Sequence, residues 1–219
     1  MCFSATASFT AAAVLGAAGA VTLGRASGYG RTLLPLAVFP LLFAAQQMIE
    51  GLLWLELPQR EPGPLRPVLV HMFQVYAEVL WPVFAPLAVL LIEPVRWRRW
   101  LIGVCLAVGA CLAAYLLIKM IQHPYFAFIA GGHILYRNDY DYPTGIEVPY
   151  VLATVGPFLL SSGKAVQLLG IVVLVAFFAS YMLARDAYIS VWCFFAALAS
   201  VMVYVHVSDV RQGLVPRPS

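Results

Sequence analysis

The sequence predicts an all-α fold: a polytopic transmembrane helix bundle of about seven spans, with the N-terminus outside and the C-terminus cytoplasmic. Three observations carry this expectation. Apolar residues make up 63% of the 219 and charged residues 11%, against roughly 45–50% and about 25% in soluble domains. The apolar residues gather in runs near the ~20 residues that a helix needs to cross a bilayer. The basic residues fall mainly in alternate loops, the bias that orients membrane proteins.

The first run, from about Ser8 to Leu23, has no basic stretch before it and reads as a retained span, not a cleaved signal. The second extends from about Thr32 to Leu55 and the third from about Pro67 to Ile92. The fourth covers Trp100 to Ile118. The fifth, Val148 to Ser161, is short and interrupted by Pro149 and Pro157. The sixth covers Ala165 to Leu183 and the seventh Ala187 to His206. Pro35 and Pro40, and Pro82 and Pro86, are expected to kink the second and third spans and to free carbonyls that need other donors. Small residues repeat every four positions at Ala12, Gly16 and Ala20 and at Gly103, Ala107 and Cys111. Such stripes let helix backbones approach closely in lipid.

Residues 1–212 form one transmembrane domain in this reading. The tail 213–219 contains Gly213-Leu214-Val215-Pro216-Arg217, which resembles the remnant of a thrombin-cleavable linker. With the N-terminus outside, eight basic residues lie inside: Arg25, Arg31, Arg96, Arg98, Arg99, Lys164, Arg211 and Arg217. Five lie outside: Arg60, Arg66, Lys119, Arg137 and Arg185. The expected location is the inner (plasma) membrane, with membrane lipid as the first partner. A net charge of +3 without a basic run excludes a nucleic-acid partner. The four cysteines include no CxxC pair, which argues against a disulfide framework or a zinc knuckle.

Polar residues inside spans are expensive, so they mark function. The second span carries Gln46, Gln47, Glu50 and Trp54. Of these, Gln46, Glu50 and Trp54 share a helix face. The third carries His71, Gln74, Glu78 and Trp81 on one face. A short connection makes the two spans an antiparallel hairpin, which brings Glu50 and Glu78 to comparable depth in one outward-facing site. Two carboxylates desolvated together resist double ionisation. Glu50, Glu78 and His71 are therefore the candidates for acid/base chemistry or for holding a divalent transition metal. Gln46, Gln47, Gln74, Trp54 and Trp81 are the candidates for binding.

The connection over residues 119–147 is long and aromatic, with Tyr125, Phe126, Phe128, Tyr136, Tyr140 and Tyr142 around His133. Gly131-Gly132 and Asn138-Asp139 are turn chemistry. It reads as an ordered aromatic outer loop covering the bundle, with His133 a further binding candidate. At the start of the chain, removal of Met1 leaves Cys2 with a free amine beside its thiol, a pair able to chelate or to act as a nucleophile. Cys2 and Ser4 are expected to fold towards the same outer site.

The opening Met1-Cys2-Phe3-Ser4-Ala5-Thr6-Ala7-Ser8-Phe9, with Gln47-x-x-Glu50-Gly51-x-x-Trp54 and Trp81-Pro82, resembles an uncharacterised family of bacterial multi-pass membrane proteins of about this length. The resemblance implies that the N-terminal segment and the second and third spans form the shared features, and it brings no activity. The last span lacks the HxxxH of ceramidase-like and progestin-receptor-like hydrolases and the lysine of retinal proteins. The expectation is an intramembrane polar site that binds or processes a small molecule, lipid or ion. The alternatives are an accessory or structural subunit of a membrane complex and a metal-dependent intramembrane hydrolase, and the partners expected beyond lipid are a second copy of the chain or a larger membrane complex.

Overall fold

The computed structural model describes residues 4–28, 31–61, 63–183 and 188–211. Cys2 and the tail 213–219 lie outside the described residues. Among the described residues, six helical stretches are long and apolar enough to cross a membrane: Ala5–Ala26, Leu34–Glu56, Leu65–Ile92, Arg96–Gln122, Lys164–Met182 and Ser190–Ser208. Large apolar side chains such as Val14, Ile118, Val175 and Phe178 point outward from them, an arrangement suited to lipid and not to water. The spans Leu34–Glu56 and Ser190–Ser208 are the most enclosed, 61% buried against 33% for three of the others. They form the middle of the bundle.

Helix α1 (Ala5–Ala26) starts at Ser4, whose hydroxyl caps it by accepting from the Ala7 N–H at 3.2 Å. It packs along α3 (Phe39–Glu56), which follows the single turn α2 (Leu34–Ala37). The break at Val38 lies just before Phe39-Pro40, where the proline has no N–H to donate back. The contact is closest at two glycines. A Cβ at Gly19 would meet Leu41 at 2.6 Å, and one at Gly51 would meet the Phe9 ring at 2.6 Å. The stripe that seats α1 therefore runs through Ser8, Ala12, Leu15, Gly19 and Thr22. Of the expected stripe, Ala12 is buried, Gly16 half-buried and Ala20 exposed.

The third span is α4 (Leu65–Gln74), a π-helical turn (Val75–Leu80) and α5 (Trp81–Ile92). The prolines account for the turn. In it the Trp81 N–H donates to the Tyr76 carbonyl, five residues back. The Ala77 carbonyl would receive residue 82 in that register, but residue 82 is proline. The Tyr150 hydroxyl donates to it instead. Pro86 likewise leaves the Pro82 carbonyl without a helical donor, and α6 (Arg96–Gln122) closes on it so tightly that a Cβ at Gly109 would overlap that oxygen. The close-packed face of α6 is thus the one through Ile102, Cys105, Gly109 and Leu112. This corrects the expected stripe: Ala107 and Cys111 are exposed, and nothing lies within 4 Å of a Cβ at Gly103.

Strands β1 (Phe126–Ala130) and β2 (His133–Arg137) pair antiparallel, with Ala130 opposite His133. Gly131 and Gly132, both at positive φ (58° and 76°), form the two-residue turn that matches strand twist. β2 packs inward: Ile134 is fully buried with Phe73, and Tyr136 stacks on Phe73 at 4.5 Å. The expected fifth span is two short helices, α7 (Glu147–Thr154) and α8 (Gly156–Leu160), with Pro157 in the first turn of the second. Helices α9 (Lys164–Leu183), α10 (Tyr188–Ala199) and α11 (Met202–Arg211) complete the bundle. Arg25, at the end of α1, donates to Tyr204 and lies over its ring.

At the end away from the hairpin, Pro94 stops α5 and leaves Glu93 in extended conformation. Glu93 is 2% exposed and accepts from the Val95 N–H at 3.0 Å and the Ser162 N–H at 2.7 Å. Arg98 donates to the carbonyls of Leu160 at 2.9 Å and Ser161 at 2.8 Å. These bonds clasp the α5–α6 and α8–α9 connections together.

Candidate functional site

Beneath the hairpin lies a cavity of about 390 Å³, within the roughly 300–1,000 Å³ range of small-molecule pockets. Its floor comes from the third span. Gln74 and Glu78 are one helical turn apart, and the Gln74 amide donates to Glu78 Oε1 at 3.2 Å. The π turn that contains Glu78 adds a residue to the helix and so sets the side chain's direction towards the cavity. Such turns recur at functional sites because the extra residue re-aims what surrounds it.

The roof donates to the same carboxylate. Tyr125, just before β1, donates to Glu78 Oε1 at 2.7 Å. Its hydroxyl lies 2.9 Å from that of Tyr142, which accepts from the Asn138 amide at 3.1 Å. Burial, then the neighbouring Glu78, hold the Tyr125 phenol far above its ordinary value, so it stays a donor. Burial also raises the Tyr142 phenol. The chain Asn138–Tyr142–Tyr125–Glu78 thus links hairpin to helix. Glu78 Oε2 and Gln74 Oε1 are buried and have no hydrogen-bond partner among the described residues. Six tyrosine rings line the space above them: Tyr125, Tyr136, Tyr140, Tyr142, Tyr150 and Tyr188.

Glu50 lies fully buried beside this cavity, not on its wall. It accepts from Ser190 Oγ at 2.6 Å and from the Gln47 amide at 3.3 Å. Ser190 is itself a cavity residue, so one hydroxyl separates Glu50 from the space that Glu78 faces. Gln46 Oε1 accepts from the Trp81 indole N–H at 2.8 Å, and Trp81 stacks on Phe43 at 4.0 Å. The pair Gln46–Trp81 ties the second span to the third.

The structure does not bring every expected residue here. His71 Nδ1 bonds to the Pro67 carbonyl at 2.7 Å within its own helix, half-buried and off the cavity wall. His133 is half-buried at the start of β2, where burial lowers its pKa, and it does not line the cavity. Trp54 is half-buried one turn beyond Glu50. Ser4 serves as the cap of α1. No three of His, Cys, Asp and Glu gather into a metal-holding group among the described residues. Tyr125, Tyr142 and Ser190 were missed as site residues. The tyrosines stood out in sequence only as members of an aromatic loop, and a serine in an apolar run carries no signal by itself.

Two hydrogen-bonded groups border the cavity: Gln74, Glu78, Tyr125, Tyr142 and Asn138 from floor to hairpin, and Gln47, Glu50 and Ser190 beside it. Glu78 can bind a polar group through Oε2 while Tyr125 holds its other carboxylate oxygen. A family model for a family of unknown function matches the chain over residues 1–217. No curated protein and no solved structure matches the chain.

Proposed function

Because the chain belongs to that family of unknown function, DUF6629, its activity has to be read from its own geometry, and we propose that it is a small-molecule-binding membrane protein whose ligand sits under the β1–β2 hairpin against Glu78. The observation that carries this reading is a buried carboxylate, hydrogen-bonded by Gln74 and Tyr125, on the wall of a cavity of ligand size. A carboxylate at that depth is costly unless it is used. The hairpin acts as a lid, and Tyr125 connects lid to floor.

In the same reading the chain crosses the inner membrane of a bacterium seven times, N-terminus outside, with the hairpin on the outer face. α7–α8 supply the fifth crossing in two pieces. Ile146 and Glu147 line the cavity at one end, and the Leu160 and Ser161 carbonyls meet Arg98 at the other. Fourteen residues at 1.5 Å each reach only about 21 Å, short of the ~30 Å hydrocarbon core. The flanking helices that enclose them make that tolerable.

The test is thermal unfolding of the purified chain in detergent against a library spanning cationic, anionic, neutral and lipid-like compounds. Asn138→Trp, which fills the cavity from the hairpin side, serves as control. At least one compound is expected to raise the midpoint of the wild type by several degrees and that of the variant by none. A library in which no compound stabilises the wild type, or in which every stabiliser acts equally on the variant, overturns the reading.

A further inference from the structure

We propose that the ligand is an organic cation: a primary or secondary ammonium on an apolar or aromatic body, its N–H groups bound by Glu78 Oε2 and Gln74 Oε1. The proposal rests on the reading of the cavity as a ligand site and names the class of molecule it takes. Three observations point the same way. The first is the pair of unpartnered atoms. Gln74 is fully buried and Glu78 is 6% exposed, both line the cavity, and Gln74 Oε1 and Glu78 Oε2 are acceptors without donors among the described residues. With Glu78 ionised, the Gln74 amide turns its nitrogen towards it, because a carboxylate oxygen only accepts. The molecule that satisfies both atoms brings two donors, and next to a carboxylate in a low-dielectric setting the strongest donors are cationic.

The second observation is the charge of the wall. Among the described residues, Glu78, Asp141 and Glu147 line the cavity against a single basic residue, Arg137. An anion would enter against that field and meet the Glu78 carboxylate at the floor. The third is the ring lining. Tyrosine faces attract cations within about 6 Å of the centroid, and the rim already shows it: Lys119 Nζ lies 4.4 Å above the Tyr140 ring. A ligand body placed over the floor would lie among the same class of surface.

The experiment is calorimetric titration of the purified full chain in detergent at neutral pH with three probes of one shape: phenethylammonium, phenethyltrimethylammonium and 3-phenylpropionate. Phenethylammonium is expected to bind, the trimethylated probe to bind about tenfold more weakly for want of N–H donors, and the carboxylate not to bind. Glu78→Gln is expected to weaken phenethylammonium by about tenfold or more. Gln74→Met keeps the carboxylate and the volume but removes one acceptor, together with the N–H that donates to Glu78, so it stays informative should the first variant fail to fold. A several-fold loss is expected there. Equal affinity for the ammonium and the carboxylate, no heat from phenethylammonium up to millimolar concentration, or unchanged affinity in the folded variants each overturns the proposal. If the library of the previous section still yields a stabiliser lost in Asn138→Trp, the ligand site stands and only its cationic preference falls.

Discussion

Gly109 shows how far one missing atom can matter in a bundle held by close backbone contact. The Pro82 carbonyl has lost its helical donor to Pro86, and α6 covers it only because residue 109 has no Cβ. Gly109→Ala is expected to force α5 and α6 apart and cost about 1–3 kcal/mol, the usual penalty of overpacking. Gly103→Ala, six residues earlier on the open face, is expected to be neutral or to gain up to about 0.5–1 kcal/mol. Unfolding of both variants in mixed micelles checks the pair; equal effects would remove the argument. A four-residue spacing of small side chains is visible in sequence, but α6 has more than one such stripe, and only the partner's free carbonyl chooses between them. Glu78, Gln74, Glu50 and Gln46 stand out in the sequence for a different reason: a polar group inside hydrocarbon announces its own cost. Tyr125, Tyr142 and Ser190 reach their partners across 47, 17 and 140 positions of chain, a distance that no local pattern spans.

The π turn belongs to the scale of the element. Its register leaves the Ala77 carbonyl facing a proline, and the Tyr150 hydroxyl takes the place of the missing N–H. Tyr150→Phe is therefore expected to cost about 1–3 kcal/mol, the penalty of an orphaned buried acceptor. In a Pro82→Ala background residue 82 recovers an N–H, or the helix returns to α register and Trp81 supplies one. The same tyrosine substitution should then cost less than half as much. A double-mutant cycle on unfolding free energies measures the coupling, and equal costs in both backgrounds would show that the tyrosine does not substitute for the helix. The prolines were readable in the sequence as sources of free carbonyls. That one would be answered from α7, a helix some seventy residues away, was not.

For the whole molecule the test is orientation. In a background without the four native cysteines, Gln59→Cys is expected to react with an impermeant maleimide in intact cells, and Trp97→Cys only after lysis. The opposite pattern would invert the proposed topology. The bundle and the boundaries of the long spans were legible from hydropathy, because lipid rewards uninterrupted apolar length. The stretch 147–160 was not decidable in the same way. It breaks at Val155 and is too short for a helix that spans lipid alone, and it relies on its neighbours for enclosure. The clasp of Glu93 and Arg98 on the α8–α9 connection leaves no mark in the sequence, because charged residues beside a loop are ordinary.

The tip of the hairpin offers an experimental handle. Nothing lies within 4 Å of where side chains would begin at Gly131 and Gly132, and both residues are exposed. A short epitope inserted between them disturbs no packing, and an antibody fragment bound to it gives a small, largely lipid-embedded protein an external landmark for imaging. Because β2 is fastened to the floor through Tyr136 on Phe73, that fragment would report the cover's position in the particle images themselves, with and without a bound molecule.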